Sequence, residues 1–91
     1  MSEKTWSVAF SKAALKRLKK TETSVRLRIL EHLNQLSVLD DPLRHRDVRS
    51  LSGKLEGVYR LRVGKYRVIL EVDTASKSIK VMLVEPRGSA Y

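Results

Sequence analysis

Arg60, Arg62 and Arg67 stand within the stretch GVYRLRVGKYRVILEV, Gly57 to Val72, close enough in sequence to act on one ligand. Guanidinium groups stay protonated and present forked donors that match phosphate oxygens, so this cluster suits binding a phosphodiester and stabilising charge that builds on it. Lys54, Lys65, Arg87 and Tyr91 are the further candidates, with Glu71 and Glu85 as nearby carboxylates. Such a set can promote cleavage of RNA, where a 2′-hydroxyl attacks its own neighbouring phosphate. That reaction asks the protein only to align the hydroxyl, stabilise the pentavalent charge and move protons. A tyrosine serves as the base only if adjacent cations lower its pKa from about 10.

Other chemistries lack their residues. The two histidines, His32 and His45, have no spacing that pairs either with a carboxylate, and there is no cysteine, so no metal site is expected. No glycine-rich phosphate loop, nucleophile elbow or clustered carboxylate pair is present, and no cofactor is expected.

The chain has 91 residues and a formal charge of +9, with 42% hydrophobic and 32% charged residues. That length predicts one domain over residues 1–91, with one core and a shallow site. The basic balance gives a standing attraction to polyanions, since binding phosphates releases counterions, and nucleic acid is the expected partner. An acidic protein is the alternative. The apolar runs fall short of a membrane span, and no basic segment followed by an apolar one opens the chain, so a cytoplasmic protein without membrane contact is expected.

The elements that must position these residues follow from periodicity. TWSVAF alternates, putting Trp6, Val8 and Phe10 on one face of a half-buried strand. Ser11 stands as an N-cap for a short helix to about Lys20 carrying Ala14, Leu15 and Leu18. TETS, Thr21 to Ser24, breaks that helix and offers a second cap. A longer helix follows, with Val25, Ile29, Leu30, Leu33 and Leu36 as its apolar stripe, and Asp41-Pro42 is expected to stop it. The helices are expected to form an antiparallel hairpin covering one sheet face. Leu43 to Gly57 shows no sustained period and is expected to be a long connection.

Val58–Val63 and Tyr66–Val72 flank Gly64-Lys65, which suits a type II′ hairpin turn. Setting Val63 opposite Tyr66 places Arg62 opposite Arg67, Leu61 opposite Val68, Arg60 opposite Ile69 and Tyr59 opposite Leu70. Tyr59, Leu61, Val63, Tyr66, Val68 and Leu70 then share the core face, and the three arginines share the other. Like charges directly opposite destabilise a ladder by a few tenths to about 1 kcal/mol, a cost that a bound anion would offset. The run Ile79 to Val84 is continuous and reads as a central strand covered on both faces, ending at Pro86.

The order strand, helical pair, long connection, then SGKLEGVYRLRVGKYRVILEVD and a final VEPRGSAY resembles the RelE/ParE superfamily of toxin–antitoxin toxins, in its RelE-like branch, over nearly the whole chain. The resemblance implies an α+β fold with an N-terminal strand and an antiparallel helical hairpin packed on an antiparallel twisted sheet. It also implies a ribosome-dependent endonuclease that cuts mRNA in the A site and is neutralised by a cognate RelB-like antitoxin, with the toxin–antitoxin complex binding operator DNA through the antitoxin. On this resemblance Arg60 and Arg62, with Lys54 and Lys65, would bind RNA. Arg67 would stabilise the scissile phosphate, Arg87 would contact phosphate or the leaving group, and Tyr91 would position or deprotonate the 2′-hydroxyl. Where many relatives carry Gly-His-Arg, this chain has Glu85-Pro86-Arg87. A ParE-like inhibitor of gyrase and a non-catalytic RNA-binding relative are the other functions the resemblance admits.

Overall fold

The computed structural model of the protein describes residues 5–51 and 57–86, so Lys54, Arg87 and Tyr91 lie outside the described residues. Strand β1, Ser7–Phe10, alternates in exposure, with Trp6 buried just ahead of it and Val8 and Phe10 packed against the core. Helix α1, Lys12–Lys20, starts at once, because the Ser11 hydroxyl accepts the Ala14 N–H at 3.1 Å. The same hydroxyl donates to the Met82 carbonyl at 2.7 Å, tying the helix start to the last strand. Ser11→Ala is expected to lower stability by about 1–2 kcal/mol, since both bonds are lost. Urea denaturation checks this, and a change of only a few tenths would refute the dual role.

At the far end of α1 the Thr21 hydroxyl returns to the Arg17 carbonyl at 2.7 Å, and Arg26 of the next helix donates to the Leu18 carbonyl at 3.3 Å. These donors satisfy carbonyls that a helix end leaves unpaired, and Arg26 places a cation at the negative end of the dipole. Helix α2, Thr23–Ser37, begins after Glu22 with no side-chain cap, so the hydroxyls of TETS do not serve there. Ile29, Leu33 and Leu36 are buried as the stripe predicts and Val25 is half-buried, whereas Leu30 is 39% exposed. The helix stops ahead of the expected Asp41-Pro42. The Ser37 carbonyl accepts the Trp6 N–H at 2.8 Å, so the last turn is drawn to β1, and Pro42 instead opens a short 3-10 turn, Pro42–Arg44.

Four further strands follow: β2, Val48–Ser50; β3, Val58–Val63; β4, Tyr66–Asp73; and β5, Ser78–Pro86. The sheet order is β1-β5-β4-β3-β2. Neighbours from β5 to β2 are antiparallel, but β1 runs parallel to β5, so the sheet is mixed rather than wholly antiparallel. A parallel pair needs a long crossover, and almost the entire chain lies between these two strands. Alternation within β1 could show its buried face but not its neighbour. β2 lies inside the segment expected to be a connection, being too short at three residues for alternation to register.

The helices cover one face. Helix α1 lies against β5 and α2 against β1 and β3, and Ala14, Leu18, Ile29, Leu33 and Leu36 join Val48, Leu61, Val63, Val68, Leu70, Ile79, Val81 and Val84 in one core. A bulge explains the continuous apolar run of β5. Leu70 pairs with Val81 and Ile69 with Leu83, which leaves Met82 as the extra residue. The buried positions therefore shift from Ile79 and Val81 to Val84, while Leu83 falls on the open face at 43% exposure. β5 is interior to the sheet, but it is not covered on both faces as its composition suggested.

Candidate nucleic-acid interface

The face of the sheet opposite the core carries the cations. The β3–β4 register runs Val63–Tyr66, Arg62–Arg67, Leu61–Val68, Arg60–Ile69 and Tyr59–Leu70, as the turn chemistry predicts. Gly64 has φ +57°, while Lys77 is the only non-glycine at positive φ among the described residues. Lys65 is therefore at negative φ, which is the pattern of a type II′ turn. Leu61, Val63, Val68 and Leu70 are buried, and Tyr59 and Tyr66 pack partly against the core. Residues between them must point the other way, because successive side chains alternate.

Arg60, Arg62 and Arg67 are thereby brought together on the open face, Arg62 exposed and the other two half-buried. Arg62 faces Arg67 across β3–β4, and Arg67 faces Glu85 across β4–β5. Arg60, Arg62, Lys65 and Arg67, with Gly64 and Tyr66, line a shallow depression of about 220 Å³ at the hairpin end.

Sequence reasoning missed Arg46, Asp47 and Arg49. Arg49 of β2 stands directly opposite Arg60, which makes a second like-charge pair. Arg46, Asp47 and Arg49 join Arg60 and Arg62 around an adjoining depression of about 210 Å³. The two hollows share Arg60 and Arg62, so the arginines form one band across β2, β3 and β4, roughly 10 Å wide at normal strand spacing. Arg28 of α2 reaches the same hairpin turn from the helix side of the sheet and lines neither hollow. A Cβ built on Gly64 would sit 3.2 Å from its Nη1, so its guanidinium rests against the hairpin turn. The triplet VRS was the only trace of Arg49's position, and nothing local marks Arg28.

Each facing arginine pair costs roughly 0.2–1 kcal/mol relative to neutral neighbours. The band persists because hydrophobic burial on the opposite face sets the register of the same strands. Forked donors held on a rigid sheet can take several phosphate oxygens of an extended backbone without rearrangement. His32 and His45 line neither hollow. His32 donates to the Arg28 carbonyl at 2.8 Å, and His45 Nδ1 accepts the Asp47 N–H at 3.1 Å. Among the described residues no group of three metal-ligating side chains comes together.

Residues 8–91 match the family model of the ParE toxin of type II toxin–antitoxin systems. None of the curated proteins matches the chain. Among solved structures, the archaeal RelE–RelB complex of Pyrococcus horikoshii OT3 contains a chain 33% identical to this one. The match covers 94% of this chain and 99% of that one, with a TM-score of 0.78. The RelB–RelE complex of Methanococcus jannaschii is similar at 30% identity, covering 89% and 92% of the two chains with a TM-score of 0.64. The isolated E. coli RelE toxin, at 22% identity, shares the fold with a TM-score of 0.74 over 93% of this chain and 87% of that one. The open arginine band thus sits on a scaffold common to these toxins, and the chain belongs to the ParE toxin family of type II toxin–antitoxin systems, as a RelE-like toxin of the RelE/ParE superfamily.

Proposed function

We propose that this toxin is a ribosome-dependent endoribonuclease that cleaves mRNA in the A site and so inhibits translation. The observation that carries the reading is the arginine band, with Arg49 facing Arg60 and Arg62 facing Arg67 on the face the helices leave open. In this reading Arg49, Arg60 and Arg62 grip the mRNA backbone, and Lys54 and Lys65 add to RNA binding. Arg67 neutralises charge on the scissile phosphate as the 2′-oxygen bonds to phosphorus and the bond to the 5′-oxygen breaks. The products are a 2′,3′-cyclic phosphate and a 5′-hydroxyl. Tyr91 takes the 2′-hydroxyl proton or positions that group, and Arg87 meets the charge on the departing 5′-oxygen, which becomes a hydroxyl by taking a proton from water. No step calls for a cofactor or a metal.

The protein works in the cytoplasm beside a RelB-like antitoxin, as the RelE–RelB complexes of the relatives suggest. That complex would reach operator DNA through the antitoxin. An acidic antitoxin segment over the arginine band predicts affinity that weakens as ionic strength rises. Equal dissociation constants at low and high salt, measured by titration calorimetry, would count against it.

A second reading, inhibition of gyrase, draws on the ParE family model. Primer extension on a translated mRNA after induction separates the two. Cuts within codons support the nuclease, whereas intact mRNA together with gyrase-dependent DNA breaks would overturn it.

A further inference from the structure

Helix α1 has the sequence KAALKRLKK, with five cations and no carboxylate in nine residues. Helical spacing points Lys12, Lys16 and Lys19 away from the buried Ala14 and Leu18, so these lysines form an exposed ridge. The flank bearing Ala13, Arg17 and Lys20 turns toward β5. There these residues and Lys16 line a groove of about 360 Å³ with Leu83, Val84 and Glu85. This groove exists because β1 pairs with β5 only as far as Val81, leaving the rest of β5 beside the helix.

The ridge is set apart from Arg49, Arg60 and Arg62 of the band, and the groove beside it comes nearest the band at Glu85, which stands opposite Arg67. The ridge lies with the helices at the β1–β5 side, whereas Arg49, Arg60 and Arg62 lie on the open face of β2 and β3. Lys12 and Lys16, and Lys16 and Lys20, stand four residues apart, and such like-charge pairs weaken an isolated helix. A repelling ridge that packing does not need is stabilised by a polyanion. Lysine is the informative residue type here. Protein interfaces are depleted in lysine, whereas nucleic-acid interfaces are strongly positive, and a point charge on a flexible stem suits backbone phosphate without regard to sequence. A convex helix ridge also differs from a flat strand face that can lay out an extended single strand. Double-helical RNA presents phosphates and 2′-hydroxyls as a shape, which is what such a ridge meets.

We propose that the α1 ridge and the α1–β5 groove form a second RNA site, which docks the phosphate backbone of double-helical RNA independently of the arginine band. The test uses the full chain and two probes, a short blunt RNA duplex and a 2′-O-methyl single strand that cannot be cut. The variants are Lys16→Gln/Lys19→Gln/Lys20→Gln and Arg60→Gln/Arg62→Gln, each first shown to keep the parent's thermal midpoint. The lysine variant is expected to bind the duplex about tenfold more weakly, and the slope of log affinity against log salt is expected to shrink by about 2–3. Its affinity for the single strand should stay within about twofold. The arginine variant should show the reverse preference. Unchanged duplex affinity and slope in the lysine variant overturn the proposal, as does equal weakening toward both probes, which would reflect net charge alone. Intact RNA binding with weakened antitoxin binding would assign the ridge to a protein partner and overturn it as well. Cleavage is not the readout, so the result stands apart from the nuclease reading.

Discussion

Arg67→Ala is expected to lower cleavage of translated mRNA by about 10²–10³-fold, the usual loss when one donor to developing transition-state charge is removed. The position explains why the loss should be chemical rather than structural. Arg67 sits at the start of β4, facing Arg62 on one side and Glu85 on the other, while the buried residues of the strand are Val68, Leu70 and Val72. Its side chain holds no part of the core. Removing it relieves the repulsion with Arg62 and forfeits the attraction to Glu85, cross-strand effects of opposite sign and about 0.2–1 kcal/mol each, so stability should change by about 1 kcal/mol or less. Arg67→Lys keeps the charge but loses the fork, and should recover only part of the rate. Primer extension over a time course, with urea denaturation of the same variants, measures both quantities. A variant that cuts at the parental rate would remove Arg67 from the mechanism, and an equally large loss of stability would recast it as structural.

The largest stability effect is expected one residue from the arginines. Leu61 is fully buried, and it lies between Arg60 and Arg62 on β3 with Val48 of β2 and Val68 of β4 directly across. Leu61→Ala should cost about 2–5 kcal/mol, combining the lost burial with the cavity left behind. In a domain of this size that lowers Tm by roughly 10 °C or more, a large part of a total stability of about 5–15 kcal/mol. Leu61→Val, which keeps most of the volume, should cost less than about 1.5 kcal/mol. Activity of the alanine variant should return on cooling, because the arginines themselves are intact and only their scaffold is weakened. Denaturation curves and cleavage rates at two temperatures check this. A loss below 1 kcal/mol would mean that β3 is not anchored through Leu61.

Leu61 and Arg67 belong to the two strands of one hairpin, and their separation onto opposite faces is legible in the sequence. Alternation from Val58 to Leu70, with glycine first in a two-residue turn, determines both the register and the side on which Arg60, Arg62 and Arg67 emerge. Steric limits on φ at Gly64 and the two-residue period of a strand are local, so the chain reports them directly. Ser11 as a cap and the buried stripe of α2 are legible for the same reason. The boundaries that failed are those where a distant partner intervenes. α2 ends at Ser37, where its carbonyl takes the Trp6 N–H, and the parity of β5 changes at Met82 through a bulge that only its pairing with β4 reveals.

The sequence by itself therefore determined the helical and strand segments, the hairpin with its arginine face, and the resemblance to RelE-like toxins. Tertiary structure alone decided that β1 lies parallel to β5, that VRS is a strand, and that Arg49 completes a second arginine pair. It also decided that Arg28 reaches the hairpin turn from α2, and that the α1 lysines border a groove beside β5. The physical reason is the range of the interactions. Turn geometry and side-chain alternation act between adjacent residues, whereas strand order, edge pairing and the meeting of distant charges depend on which long-range contacts bury the most apolar surface.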